Sequence, residues 1–221
     1  MIQKLKYLPK DKYDDINFVA VAIKKYNKNQ NHAAFMFKDR TKEFKLFHLE
    51  ENKKLTCEDI PLEHNFVWLD MPLNKANLIF LSQYIDSVSK NNQEDSIYYG
   101  ISIQGIDFDT NGKLLKDNEF DGLTCATFIL KVLESRGYNI FKYETWKPRY
   151  SDIAWQNLIL KWVALGASKL QVNYQNKLIG SNRYRPEEVV SGASCKEIPL
   201  SFKEAISLGK ELDEFLLHKI K

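Results

Sequence analysis

His32-Ala33-Ala34-Phe35-Met36-Phe37, then Lys38-Asp39-Arg40-Thr41-Lys42, then Glu43-Phe44-Lys45-Leu46-Phe47-His48-Leu49, is the stretch from which the fold is read. Both flanks are short, apolar and aromatic, as strands are. The polar middle has the length of a hairpin loop. Side chains alternate across a strand with a period of two, and paired residue numbers in an antiparallel hairpin have a constant sum. With the loop centred on Arg40, His32 faces His48 directly. Both then point to one side with Ala34, Met36, Leu46 and Phe44. A shift of one residue in the loop centre separates the imidazoles by a step. That side is apolar and is expected to face the core. Its histidines read either as core imidazoles satisfied by hydrogen bonds or as a working pair.

Outward from the hairpin, Ile16–Ile23 is apolar and β-branched enough for a buried strand, and Lys24–Asn31 reads as a polar, Asn-rich loop. Phe66–Leu69 is a further short strand. Asn74–Ser89 places Ala76, Ile79, Phe80, Tyr84, Ile85 and Val88 at helical spacing. Ile97–Ile103 is strand-like and Asn111-Gly112 marks a turn. Thr124–Gly137 predicts a helix closed by its glycine. Asp152–Leu165 predicts another, with Asp or Ser as cap and Gly166 as stop. Arg185-Pro186-Glu187-Glu188 opens a short helix, and Phe202–Lys221 is a final amphipathic one. Strands and helices come in blocks, which predicts an α+β fold: an antiparallel sheet with helices packed on it. One domain, 1–221, is expected, with a core of about 16–137 and a helical extension of about 138–221.

Composition narrows the function classes. The 221 residues are 44% hydrophobic and 28% charged, values of a folded globular chain. Lys and Arg number 32 against 29 Asp and Glu, and the formal charge of +3 argues against nucleic acid or an anionic membrane as partner. No run approaches the roughly 20 apolar residues that span a bilayer, and Met1–Lys12 lacks a signal-peptide core. A cytoplasmic protein is expected. Three cysteines, Cys57, Cys125 and Cys195, are too few and scattered for a disulfide framework. No Cys-x-x-Cys or His-x-x-x-His spacing occurs, so neither a metal nor another cofactor is expected.

Cys125 has the most suggestive setting of the three. Gly122 ends a polar approach, Thr124 can cap a helix, and Cys125 takes the first helical position. Partial positive charge at a helix N-terminus favours thiolate, the nucleophilic form. Backbone N–H groups gathered there can also stabilise an oxyanion. The alternative is a buried thiol behaving as a small hydrophobe. Cys57 lies beside Glu58 and Asp59, and Cys195 in a Ser-Gly-Ala-Ser-Cys loop; no helix immediately follows either.

A strand opening with His32, a second ending in His48-Leu49, and a later helix opening Thr124-Cys125-Ala126-Thr127-Phe128 together resemble the circularly permuted papain-like cysteine hydrolases, the permuted NlpC-type and lecithin:retinol acyltransferase-like enzymes. The resemblance covers about Asn17 to Leu133. It implies a permuted papain-like fold with Cys125 as nucleophile, His32 as base and His48 as the group orienting the base. Such a pair requires the sulfur within about 4 Å of a His32 ring nitrogen. Thr124 stands where permuted members often carry Asn. The stretches 146–149, 151–156 and 182–186 are dense in aromatic and polar residues, and read as a substrate wall or as surface loops pinned by aromatics. Thr124, Trp146 and Arg149 are the expected substrate-binding residues. The activity implied is a hydrolase or acyl transferase acting on an amide, peptide or thioester through an acyl-enzyme. Its substrate would be a small-molecule, peptide or lipid-like acyl compound. A non-catalytic partner-binding module on the same fold is the alternative.

Overall fold

A computed structural model describes residues 5–7, 10–60, 64–92 and 97–219. Six strands form one antiparallel sheet: β1 (Lys6–Tyr7), β2 (Val19–Asn27), β3 (Gln30–Lys38), β4 (Phe44–Glu51), β5 (Lys54–Asp59) and β6 (Val67–Asp70). Their spatial order is β1-β6-β2-β3-β4-β5. The hairpin read first is β3–β4, in the middle of the sheet. Its register differs from expectation, since Phe35 pairs with Phe47 and Met36 with Leu46. The loop is therefore centred on Thr41. Asp39 Oδ1 decides this by accepting from the Thr41 N–H (2.8 Å), the Thr41 hydroxyl (2.7 Å) and the Glu43 N–H (3.0 Å). Lys42 completes the turn at φ 71°. Continued along the strands, this register sets His48 opposite Ala34 and His32 on the diagonal.

The expected loop at Lys24–Asn31 is mostly strand, because β2 runs to Asn27 and β3 begins at Gln30. Asn29 N–H bonds back to Asn27 Oδ1 at 2.9 Å and closes the turn. The lysines are tolerated because their stems cover apolar surface while their charges find partners. Lys24 Nζ lies 4.8 Å from the Phe66 ring centroid, and Lys25 Nζ lies 2.6 Å from Asp213.

The two faces of the sheet differ. Val19, Val21, Ile23, Ala33, Phe35, Phe37, Phe47 and Leu49 face the helices. Ala20, Ala22, Ala34, Met36, Leu46 and Trp68 face the other way, under segments carrying Ile16, Ile60 and Phe66. Helix α1 (Lys75–Asn91) begins at Asn74, whose side chain accepts from Asn77 N–H. Helix α2 (Cys125–Glu134) lies across β3 and β4. Phe128 on α2 meets Phe35 and Phe47 edge-on, at centroid distances of 6.4 and 5.1 Å.

Between these helices the expected strand at Ile97–Ile103 shrinks to β7 (Tyr98–Tyr99). Then β8 (Ile106–Phe108) and β9 (Leu114–Lys116) flank the Asn111-Gly112 turn, and β10 (Gly122–Leu123) pairs in parallel with β7. Two glycines make that last pairing close. A Cβ on Gly100 would sit 2.4 Å from Gly122 O, and one on Gly122 would sit 2.3 Å from Tyr98 O. The contact brings Tyr99 alongside the start of α2.

The remaining helices are α3 (Tyr150–Val163), α4 (Lys169–Asn176), α5 (Pro186–Ala193) and α6 (Phe202–Lys219). Helix α3 starts before the expected Asp or Ser cap: Arg149 stands at its N-cap without a side-chain cap bond, and Asp152 serves an ion-pair cluster instead. The final two residues of the expected terminal helix, 220 and 221, lie outside the described residues. Ile140, Phe141, Trp146, Tyr184, Val189, Val190, Leu200, Ala205, Leu212 and Leu216 of the extension share one buried cluster with the sheet and α2. The fold is α+β, with a six-stranded antiparallel sheet and six helices among the described residues. None of those helices is long and apolar enough to cross a membrane.

Candidate functional site

Thr124 and Thr127 cap α2 reciprocally. Thr127 N–H donates to Thr124 Oγ1 at 3.1 Å, and Thr124 N–H donates to Thr127 Oγ1 at 2.7 Å. This capping box commits two N–H groups that a helix start otherwise leaves unpaired. It also fixes Cys125 as the first residue of the helix. Tyr99 lines the cavity beside Cys125, and burial, with Cys125 next to it, pushes its hydroxyl up from its ordinary pKa. Burial pushes the thiol up from its ordinary pKa. The backbone N–H groups of Ala33 and Ala126 and the Arg183 guanidinium pull the other way, while Glu187 adds to the rise. The resting sulfur is therefore a thiol.

A cavity of about 730 Å³ opens at this end of the sheet. Thr124, Cys125, Tyr99, Asn31 and His32 line it. So do Trp155, Ile159 and Trp162 of α3, with Arg183, Tyr184 and Pro186. Asn31 is held rigidly: its Nδ2 donates to Glu187 Oε2 at 2.8 Å and to Asp213 Oδ1 at 2.7 Å.

The hairpin does bring the two expected imidazoles together. His32 Nε2 lies 2.9 Å from His48 Nδ1, with the rings edge to face. Burial, reinforced by the charges of His48 and Lys24, lowers the His32 pKa to about 3. Burial likewise lowers His48 to about 4, with Glu50 opposing and Lys24 and Lys54 assisting. Both rings are neutral at ordinary pH. They belong to the Phe66 side of the sheet, whereas α2 packs on the Phe35 side. Period-two alternation enforces this, because Ala33 faces the helix and His32 therefore does not. Among the described residues no hydrogen bond joins Cys125 to either imidazole. His32 and Cys125 meet only as lining of the same cavity.

Trp146 and Arg149 are not in the cavity lining. Trp146 is buried among Phe141, Tyr184 and Phe202, with ring centroids at 4.4, 4.8 and 5.1 Å. Arg149 pairs with Glu188 and, at 2.6 Å, with Asp152. Both nonetheless bear on the site, since each donates to the Arg183 carbonyl, Trp146 Nε1 at 3.1 Å and Arg149 Nη2 at 2.8 Å. They are positioning residues for the cavity wall. Thr124 does line the cavity, but its hydroxyl is engaged in the cap. The wall residues Trp155, Arg183, Tyr184 and Pro186 fall in two of the aromatic-polar stretches noted in the sequence. Tyr99 and Asn31 had no such signal: each is set in place by backbone pairing and by long-range partners.

Among the described residues no group of three His, Cys, Asp or Glu side chains is arranged to hold a metal ion. Comparison with protein-family models, with curated proteins and with solved structures finds no match for this chain.

Proposed function

We propose that this chain is a cysteine-nucleophile enzyme of acyl transfer, a hydrolase or acyl transferase acting on an amide, peptide or thioester, on a permuted papain-like fold. The observation that carries the reading is the setting of Cys125: a thiol at a helix N-terminus, on the lining of a cavity of about 730 Å³. The sulfur attacks the substrate carbonyl carbon and its proton passes to the departing amine or thiol. The C–N or C–S bond breaks and a thioester to Cys125 remains. Water or an acceptor amine then attacks that thioester and the thiol is regenerated. The Tyr99 hydroxyl, on the same cavity lining, donates to the carbonyl oxygen as negative charge develops there. His32 and His48 lie on the other face of the sheet, neutral and without a hydrogen bond to Cys125, so this reading does not use them as base and orienter. Three free thiols suit a reducing compartment, the cytoplasm.

One observation favours a second reading, a non-catalytic binding module. The resting thiol is neutral and makes no hydrogen bond to an imidazole. The two readings part on a single experiment. The protein is incubated with p-nitrophenyl acetate and an acetyl thioester, and adducts are located by peptide mass spectrometry. The enzyme reading expects an acetyl group on Cys125 that turns over, and its loss in Cys125→Ala. Equal labelling of Cys57 and Cys195, or none at Cys125, refutes it and leaves the binding module.

A further inference from the structure

Arg183 is a buried cation whose hydrogen-bonding capacity is mostly unspent. Its side chain is only 11% exposed, and its guanidinium lies 3.6 Å from the Trp155 ring centroid. Nη1 donates to Asp152 Oδ1 at 3.2 Å. That oxygen also takes Arg185 Nη2 at 2.7 Å and Nε at 3.2 Å, and the other oxygen of Asp152 takes Arg149. The second buried carboxylate, Glu188, is occupied by Arg149 and the Arg185 N–H. Glu187, the other acid near Arg183, already holds Asn31. Three guanidinium groups thus share two buried carboxylates, and Arg183 has the weakest share.

What Arg183 leaves open has a definite shape. Nε is buried without a partner, and Nη2 makes no hydrogen bond to a described residue. Nε and Nη2 form one edge of the planar guanidinium, the two-donor fork that matches the two oxygens of a carboxylate. Trp155 lies against the guanidinium face, and Trp146 and Arg149 clamp the backbone carbonyl behind it. Such support keeps the fork pre-organised, which lowers the cost of ligand binding. Arg183 lines the same cavity as Cys125 and acts electrostatically on its sulfur.

We propose that Arg183 is the recognition site for a carboxylate on the substrate, so that the bond presented to Cys125 lies beside a free carboxylate group, as in an N-acyl amino acid. The position beside a reacting bond rests on the nucleophile reading above; the carboxylate site does not.

The test uses N-acetylglycine as probe and the neutral N-acetylglycinamide as its control. In the wild-type chain N-acetylglycine slows alkylation of Cys125 by iodoacetamide, and the glycinamide does so about tenfold less well or worse. Arg183→Lys, which keeps charge but loses the fork, reduces protection by N-acetylglycine by a similar factor. Equal protection by acid and amide overturns the proposal, and that comparison needs no variant to fold. Protection by inorganic phosphate as strong as by N-acetylglycine overturns the carboxylate assignment. Binding of N-acetylglycine to Cys125→Ala, read by tryptophan fluorescence, separates the two ideas. Carboxylate-dependent binding without any acyl adduct in wild type upholds the Arg183 site and sinks the enzyme. Acyl transfer indifferent to N-acetylglycine and to Arg183→Lys does the reverse.

Discussion

Arg149→Met removes the cation between two buried acids. Glu188 has a side chain 3% exposed and Asp152 one 2% exposed. Asp152 keeps Arg183 and Arg185 in the variant. Glu188 does not fare so well. It retains only the Arg185 N–H at the start of α5, and a buried carboxylate stripped of its ion partner costs about 3–5 kcal/mol. Burial already pushes the Glu188 carboxyl up, with Arg149 as the main opposing group, so the variant takes up a proton there. Adding Glu188→Gln removes the unpaired charge and keeps an acceptor for the cap. The double variant is therefore expected to be more stable than the sum of the single effects predicts, by about 1–3 kcal/mol. Urea unfolding of wild type, both single variants and the double variant measures this, provided the slope with denaturant is constant. For a chain of this size the single variant lowers Tm by roughly 10 °C. An unchanged urea midpoint for Arg149→Met, combined with loss of ligand protection at Cys125, refutes the buried-pair argument. It would make Arg149 a substrate contact, as the sequence first implied.

Other consequences are as direct. Both imidazoles have folded-state pKa values below the ordinary 6.5, about 3 for His32 and about 4 for His48. Their contribution to stability is full above pH 6.5 and falls as the pH drops toward those values. The slope is at most about 2.7 kcal/mol per pH unit, about 1.36 for each proton. Replacing both with Gln flattens the stability profile between pH 6 and 4, and a slope identical to wild type there excludes buried neutral rings. Thr124→Ala loses the capping box and about 1–2 kcal/mol, whereas Thr124→Ser keeps most of it; equal midpoints for the two in thermal melts would be decisive against the cap. Gly122→Ala forces β10 away from β7 and disturbs Tyr99. Wild-type stability together with an unaltered Cys125 alkylation rate would show that the close approach does not matter.

The α+β class and most helix positions were legible because local pattern carries them. Asn74, Thr124 and Pro186 sit where a helix start demands them. The apolar hairpin flanks were strands for the same reason. Helix α4 escaped notice because it buries Gln171 and Gln175 where a pattern reading looks for an apolar stripe. Gln175 Oε1 accepts Ile101 N–H at 2.8 Å, and Gln171 Nε2 donates to Asn52 at 3.1 Å. Buried amides of this kind leave no periodic signal. The expected Lys24–Asn31 loop was a strand for a related reason, since the partners that accommodate its lysines are Phe66 and Asp213, far away in sequence.

The residues alone determined that one cysteine starts a capped helix and that two of four histidines share a hairpin face. Capping and alternation are local, so sequence sufficed. Which face of the sheet the helix covers is not local. Burial of Phe128 against Phe35 and Phe47 placed α2 on the odd-numbered side of β3, and the histidines are even-numbered. The packing of three aromatic rings, invisible in any stretch of the chain, thereby kept the imidazoles off the thiol. The close β7–β10 pairing and long-range partners set Tyr99, Asn31 and Arg183 around the cavity that Cys125 lines.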